Sequence, residues 1–312
     1  MKDFLLPHLI CPACLPKENA LDVRAYKMDR QRKNDIVSAE LHCLKCKRIF
    51  PVKDGIADLQ VFQDLIGRRY EDSCMVDRYL LNHYSDILDA PESGLEPFFL
   101  GSLLETGSLS SFDAGCSVGR LVFEMGNKSG WAVGCDLSLR FITAARNLMN
   151  SRHCTFSLPI EGTLRETFNA TLPDSWCTDN VDFIIADAQY VPFRRETFQH
   201  VSSLNLLDRV PYPLAHLYEM NRVASQNNAS FLFADPFSWL TSPAPEDRWL
   251  GGSALGNYAG RGKDVVSGLL QGKGSLLVPA WKIEASGQHS WSLRTHQNHR
   301  ELISSEFMVA KR

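Results

Sequence analysis

Long apolar runs are missing from this sequence. No stretch of its 312 residues approaches 18 consecutive apolar residues, the length that a membrane-spanning helix needs. Residues 1–8 contain neither a long apolar segment nor a small-residue cleavage site, so they do not match a secretion signal. The sequence therefore predicts a cytoplasmic protein without membrane contact.

A strong charge of either sign is also missing. The chain has 33 Lys and Arg against 36 Asp and Glu, which gives a net charge of -3. No overall field therefore steers the protein onto nucleic acid. The basic run at residues 24–33 fits a solvated face better than a phosphate-contacting surface. Nucleic acid is the disfavoured partner and stays open.

Repeats and low-complexity segments are absent, and the length suffices for one large and one small domain. Cysteine pairs organise residues 1–60, whereas strand-like and helix-like segments alternate over residues 111–312. Apolar residues recur at helical spacing in the stretch between them. We predict three parts: a cysteine-organised domain (1–60), a helical linker with the first helices of the larger domain (61–110), and the larger domain itself (111–312).

Nine cysteines without a secretion signal argue against a disulfide framework. Two CxxC pairs, Cys11 with Cys14 and Cys43 with Cys46, are separated by 28 residues. Each pair lets two thiolates reach one ion from a tight turn, and two pairs complete a tetrahedral zinc site. Unrelated thiols, or one redox pair, are the alternatives. Because protein ligands fill all four positions, the predicted zinc is structural, in a zinc-ribbon domain.

The cysteine segment and the Pro-Val-Lys-Asp-Gly-Ile sequence at residues 51–56 carry a family resemblance. Together they resemble the small zinc-binding activator subunit of transfer-RNA and translation-factor methyltransferases, and its stand-alone bacterial relatives. The similarity covers nearly all of residues 1–60. It implies that the zinc domain docks intramolecularly on a methyltransferase domain and stabilises it.

The larger part of the chain has the pattern of an α/β protein. Strands are expected at residues 111–115, 131–136, 181–187, 198–206 and 229–235, and helices at 118–127, 138–150 and 212–223. This alternation predicts a mostly parallel sheet that is covered on both faces. Strand candidates at 289–294 and 302–310 leave no room for a helix between them. We therefore expect a Rossmann-like sheet that ends in an antiparallel C-terminal hairpin.

Acidic residues follow the first three of these strands, at Asp113, Asp136 and Asp187. Ligands of open α/β sheets bind at the carboxyl ends of strands, where a glycine turn permits close approach and an acid can accept ribose hydroxyls. Each acid alone would be a helix cap or turn residue. The three together resemble class I S-adenosylmethionine-dependent methyltransferases, with nicotinamide oxidoreductases as the competing class. The candidate cofactor residues are Asp113, Gly115, Cys116, Gly119, Arg120, Asp136, Leu137, Ser138, Asp187 and Ala188.

Residues 112–312 also resemble the C-terminal methyltransferase domain of ovothiol-forming enzymes. The resemblance rests on the first glycine turn and on three short sequences, at residues 205–209, 235–240 and 248–252. It implies transfer of a methyl group to an imidazole nitrogen of a thiolhistidine-like small molecule. Those enzymes carry an iron-dependent sulfoxide synthase region ahead of this domain, where the present chain has its cysteine segment.

Three residues after the fourth predicted strand, Asn205, Asp208 and Arg209, are the candidates for orienting the acceptor. Asp208 can hold an imidazole N–H so that the other nitrogen faces the methyl group. An ion pair with Arg209, or a helix cap, is the alternative role. Trp239 and Trp249 fit either a lid or the core, and His296 either a base or the surface. Methylation of transfer RNA or of a translation-related protein stays open as a second function, and a non-catalytic cofactor-binding protein as a third.

Overall fold

A computed structural model describes residues 1–29, 34–62, 73–89 and 98–312. Part of the predicted helical linker, residues 63–72 and 90–97, lies outside the described residues. So do the last residues of the basic run, 30–33. None of the helices in the described ranges combines the length and the apolarity needed to cross a membrane.

The N-terminal region forms its own small sheet. Its four strands, β1 (Leu21–Met28), β2 (Ile36–Cys43), β3 (Ile49–Lys53) and β4 (Ile56–Ala57), pair antiparallel in chain order. The buried side chains of Leu41, Phe50 and Val52 belong to an apolar cluster that continues into the larger part of the chain, where it includes Phe112 and Phe193.

The larger part is built on a seven-stranded sheet. Five strands run parallel: β5 (Ser108–Ala114), β6 (Ser129–Asp136), β9 (Val181–Ile185), β10 (His200–Leu204) and β11 (Ser230–Asp235). The last two, β12 (Lys282–His296) and β13 (His299–Lys311), form an antiparallel hairpin, and the strand order is β12-β13-β11-β10-β5-β6-β9. All five residues of β9 are buried, as expected for a parallel strand covered on both faces. The predicted mostly parallel sheet with a C-terminal hairpin is confirmed.

In the described ranges, five α-helices and a second hairpin surround this sheet. The helices are α1 (Ser73–His83), α2 (Arg120–Lys128), α3 (Leu139–Ser151), α4 (Pro213–Val223) and α5 (Gly262–Leu270), and the hairpin strands are β7 (His153–Glu161) and β8 (Leu164–Thr171). Helix α3 begins where the Ser138 hydroxyl accepts a hydrogen bond from the Phe141 N–H, a typical N-cap. We predicted neither α5 nor the two strands of this hairpin.

The C-terminal hairpin is longer than the sheet it joins. Strand β13 pairs with β11 only as far as Glu306, opposite Asp235, so residues 289–305 continue past the carboxyl end of the sheet. This overhang is tied to neighbouring elements: the Asn82 side-chain amide of α1 donates to the Ser292 carbonyl at 2.6 Å, and Arg294 pairs with Glu166 of β8 at 2.9 Å. The hairpin and α1 together form a roof above the ends of the parallel strands.

The N-terminal sheet lies against the free edge of β9. The Leu59 N–H donates to the Ile185 carbonyl at 2.8 Å, which covers an otherwise unpaired edge. Beside this contact, Arg146 of α3 binds Asp35, at 2.9 Å, and Asp182 of β9. All three charged side chains are buried, so the contact is fixed by ion pairs as well as by backbone pairing.

Candidate active site and zinc site

The four predicted zinc ligands lie together. All four sulfur atoms fall within 4.8 Å of one another. The sulfurs of Cys11 and Cys46 are 3.6 Å apart, and those of Cys14 and Cys43 are 3.7 Å apart. Four thiolates about 2.3 Å from a tetrahedral zinc lie about 3.8 Å apart, so the cluster has the dimensions of a zinc site.

Protonation of these thiols differs from one to the next. Burial opposes ionisation of Cys43, but hydrogen bonds from the Cys46 and Lys45 N–H groups prevail and lower its thiol pKa to about 7. Burial raises the pKa of the Cys11 thiol well above its usual range. Since zinc binds thiolates, metal binding releases protons here and weakens in acid.

A deep cleft opens at the carboxyl ends of β5, β6, β9 and β10. Asp136 ends β6, and both of its carboxylate oxygens accept backbone N–H bonds, one from Ser117 at 3.0 Å and one from Ser138 at 2.9 Å. These bonds fix the carboxylate between two loops, where the N-terminus of α3 favours negative charge. The cofactor side of the cleft is lined by Asp113, Gly115, Cys116, Ser117, Asp136, Leu137, Ser138, Asp187 and Ala188.

The first loop of this cleft has features that fit a bound nucleoside cofactor. Gly115 has φ +73°, and a Cβ atom there would lie 2.9 Å from the Leu206 side chain, so only glycine allows this path. The hydroxyl oxygen of Ser117 is buried and has no hydrogen-bond partner among the described residues. A buried hydroxyl left without a partner costs about 1–3 kcal/mol, which a polar ligand atom would recover.

The other two predicted acids face the same cleft. Asp113 is buried and accepts a hydrogen bond from the Ser202 hydroxyl. Burial and the charge of Asp136 outweigh this bond and raise the pKa of Asp113 to about 7. Asp187 accepts from the backbone N–H and side-chain amide of Gln189, at 2.8 and 3.0 Å. The structure therefore brings all three strand-end acids together.

Two predicted cofactor residues, Gly119 and Arg120, lie behind the lining. A Cβ atom on Gly119 would lie 2.5 Å from the Phe183 ring, so this glycine permits close packing of α2 on the sheet. The Arg120 guanidinium binds Asp86 at 2.6 Å and Glu124 at 2.7 Å. Gly119 and Arg120 are not among the residues that line the cleft, and their contact with the cofactor stays a prediction.

The acceptor side of the cleft contains two of the three predicted orienting residues, Asn205 and Arg209. The Asn205 side-chain oxygen accepts from the Ser305 hydroxyl at 2.6 Å, and the Trp291 indole N–H donates to that hydroxyl at 3.1 Å. Because its oxygen is occupied in this way, the orientation of the Asn205 amide is set by the roof.

Asp208, the third predicted orienting residue, does not line the cleft. It is 1% exposed, and one of its oxygens accepts the Ser238 N–H at 2.9 Å while the other lies 3.2 Å from the Arg209 Nε. Burial raises the pKa of Asp208, and burial together with the Asp208 charge raises that of the adjacent Asp235 far more. The alternative ion pair with Arg209 is present at 3.2 Å, while the Asp208 Oδ1 atom has no hydrogen-bond partner among the described residues; a hydrogen bond from Asp208 to an imidazole stays a prediction.

Most residues of the roof were missed by the sequence analysis. Those that line the cleft are Tyr79, Asn82, His83, Phe98, His289 and Trp291. Burial and the charge of Arg120 lower the pKa of His83 to about 3, so its ring is neutral. The signal available in the sequence was the i, i+4 spacing of Tyr79 and His83 on α1, which places both on one helix face.

The aromatic residues that were considered for a lid lie elsewhere. Trp239 and Trp249 stack on each other with ring centroids 6.1 Å apart, and neither lines the cleft. His296 lies at the tip of the C-terminal hairpin, stacked on His299. The packing role for the two tryptophans and the surface role for His296 are therefore the ones that the structure supports.

Comparison with known families matches the N-terminal part and the larger part of the chain to two different families. Residues 2–55 match the model of the Trm112p-like protein family, and residues 112–231 match that of a methyltransferase domain. A search of curated protein sequences finds no match. Among solved structures, magnesium protoporphyrin IX methyltransferase from Synechocystis PCC 6803 is 15% identical, with a TM-score of 0.45 over 81% of this chain and 99% of that one. A methyltransferase from Methanosarcina mazei is 15% identical, with a TM-score of 0.44 over 70% and 99%.

The matched families agree with what the residues form: a four-cysteine cluster in residues 2–55, and an acid-lined cleft at the strand ends of the larger sheet. The chain therefore contains a methyltransferase domain, matched over residues 112–231, and an N-terminal Trm112p-like domain, matched over residues 2–55, whose four-cysteine cluster fits a structural zinc.

Proposed function

We propose that this enzyme methylates a nitrogen of a small, flat molecule, and that an imidazole of the thiolhistidine kind is the acceptor. The observation that carries the proposal is the aromatic enclosure of the acceptor side. Tyr79, Phe98, His289 and Trp291 line the same cleft as the strand-end acids. Aromatic rings favour a flat or cationic ligand. The similarity of residues 112–312 to ovothiol-forming methyltransferases supports the same acceptor.

In this proposal the chain mainly binds and aligns. S-adenosylmethionine supplies the methyl group and its own leaving group. Asp136 takes the ribose hydroxyls, and the turn at Gly115 lets the backbone approach the methionine portion. Asn205 and Arg209 orient the acceptor, while the roof excludes water. A neutral imidazole nitrogen needs no base, which agrees with the depressed pKa of about 3 for His83, too low for a useful proton acceptor at neutral pH.

Purified protein incubated with methyl-labelled cofactor and thiolhistidine tests this function. We expect one methyl group on an imidazole nitrogen, located by mass spectrometry, and no product from the Asp136→Asn variant. Histidine without the thiol serves as the matched acceptor control. Labelling of other small molecules, but not of thiolhistidine, would contradict the proposed acceptor while leaving the reaction class intact.

Methylation of transfer RNA or of a translation-related protein is the second candidate. The Trm112p-like match favours it, with the zinc domain as a built-in activator. Against it, Arg209 is the only Lys or Arg among the described residues of the cleft lining, whereas a nucleic-acid site needs a basic rim. Cell extract treated with RNase or protease and then offered labelled cofactor separates the two, since label that disappears with either treatment supports a macromolecular acceptor.

We further propose that the zinc domain (1–60) stabilises the catalytic domain (111–312) by docking on β9. The Arg146 ion pairs with Asp35 and Asp182 support this role, as does the backbone bond from Leu59 to Ile185. Removal of one member of a buried ion pair costs about 3–5 kcal/mol. We expect Asp35→Ala to lower the melting temperature of the whole chain, and Asp247→Ala, an exposed change outside the docking contact, to leave it unchanged.

A further inference from the structure

Arg209 lies in the wall of the cleft with unused hydrogen-bond donors. Its Nε is 3.2 Å from Asp208, its side chain is 30% exposed, and its two terminal amino groups have no partner among the described residues. Two buried arginines, Arg120 and Arg146, differ in this respect. Arg120 and Arg146 are each held by two carboxylates.

The charge of Asp208 attracts the Arg209 guanidinium, with Oδ1 at 3.2 Å from Nε and without hydrogen-bond geometry. The Asp208 carboxylate is buried and is itself held by the Ser238 N–H at 2.9 Å. An arginine that is bound at Nε by one carboxylate still has the end of its planar fork available for a second one. The donor pair is therefore prepared for a bidentate contact with a planar anion.

The acids of the cleft lining do not supply that anion. Asp136 is held by two backbone N–H groups, Asp187 by Gln189, and Asp113 by Ser202. None of the three forms an ion pair with Arg209 in the part of the chain that the structure describes. Among the described residues none supplies this second negative partner, and a bound ligand is the candidate for it.

We propose that Arg209 binds a ligand carboxylate, with Asp208 as its positioning residue. A thiolhistidine acceptor and the methionine portion of the cofactor each carry a carboxylate, and the inference rests on the proposed function for the choice of the acceptor. The charge-assisted contact is expected to strengthen binding of its ligand about tenfold or more.

Two matched ligand pairs test the proposal by calorimetry on the full chain. The cofactor pair is S-adenosylmethionine and its decarboxylated form. The acceptor pair is thiolhistidine and thiolhistamine, titrated with S-adenosylhomocysteine present. Arg209→Gln should reduce the preference for the carboxylate-bearing member of one pair from about tenfold to none, and change the affinity of the other member less than twofold. The exposed Arg195→Gln is the control and should keep both preferences.

The ligand pair for which Arg209→Gln loses the preference for the carboxylate-bearing member identifies the source of the carboxylate. Asp208→Asn should reduce the same preference in part without altering the affinity of the decarboxylated ligand, a result that a purely structural role would not give. Retained preference in both pairs for Arg209→Gln overturns the proposal. If the wild-type protein binds neither acceptor probe, the proposed imidazole acceptor fails, and the cofactor pair alone then decides on Arg209.

Discussion

The two halves of the cleft are built in different ways. The floor consists of loops that directly follow parallel strands: Gly115–Ser117 after β5, Leu137 and Ser138 after β6, and Asp187 after β9. The roof comes from α1, Phe98 and the overhanging hairpin, which are far apart in sequence. The floor holds the acids and the glycine turn, whereas the roof holds the aromatic rings. Substitutions in the floor should therefore affect cofactor binding, whereas substitutions in the roof should affect acceptor binding.

We expect the largest effect from loss of the zinc, because the zinc domain contacts β9, the strand that leads to Asp187 in the floor. Cys43→Ser removes one of four ligands, and structural zinc in small domains contributes about 10–16 kcal/mol of folding free energy. We expect bound zinc to fall to near zero, together with solubility and cofactor affinity, because the N-terminal domain covers the edge of β9. Metal analysis measures the bound zinc, and calorimetry measures the cofactor affinity. The exposed Cys177→Ser is the matched control, and a folded, zinc-free, fully active Cys43→Ser protein would refute a structural zinc.

The next effect concerns the floor alone. Asp136→Ala removes the carboxylate that is held between the Ser117 and Ser138 N–H groups. Loss of two charge-assisted hydrogen bonds to the ribose should weaken cofactor binding by at least about a hundredfold, beyond detection by calorimetry, with an unchanged circular dichroism spectrum. The exposed Asp179→Ala is the control. Unchanged affinity for S-adenosylmethionine would refute the assignment of the floor.

A smaller effect is expected from the roof. Trp291→Ala removes an aromatic ring and the indole bond to Ser305 that orients Asn205. We expect kcat/KM for the acceptor to fall about 10- to 100-fold while the Kd for S-adenosylmethionine stays within about twofold. Leu302→Ala, an exposed change on the same hairpin, is the control. Equal losses in kcat/KM for the acceptor and in affinity for S-adenosylmethionine would mean that the floor and the roof do not act independently.

The sequence predicts the floor better than the roof for a physical reason. The residues of the floor follow strands whose pattern is local, so Asp113, Asp136 and Asp187 could be placed at one edge without knowing the contacts. The roof depends on the pairing of Asn82 with Ser292 and of Arg294 with Glu166, contacts that span 210 and 128 residues. Strand-end position does not determine which way a side chain turns, and Asp208 is buried beside Ser238 instead of lining the cleft.

The smallest predicted effect is a dependence on pH that separates the two halves. The pKa of Asp113 in the floor is raised to about 7, whereas that of His83 in the roof is lowered to about 3, so of these two groups Asp113 is the one that titrates near neutrality. Deprotonation of Asp113 adds a negative charge to the lining that attracts the cationic sulfonium. The affinity for S-adenosylmethionine should therefore rise about three- to tenfold between pH 6 and 8.

Two comparisons isolate this effect. S-adenosylhomocysteine has no sulfonium charge, so its affinity should stay nearly constant over the same range, and Asp113→Asn should abolish the dependence for S-adenosylmethionine. The sign for folding is opposite. Because the native carboxyl holds its proton up to about pH 7 and the unfolded one only to about pH 4, Asp113 lowers stability as the pH rises through that window, and Asp113→Asn should remove this loss. A pH dependence that survives in Asp113→Asn would assign the titration to another group and remove the proposed electrostatic difference between floor and roof.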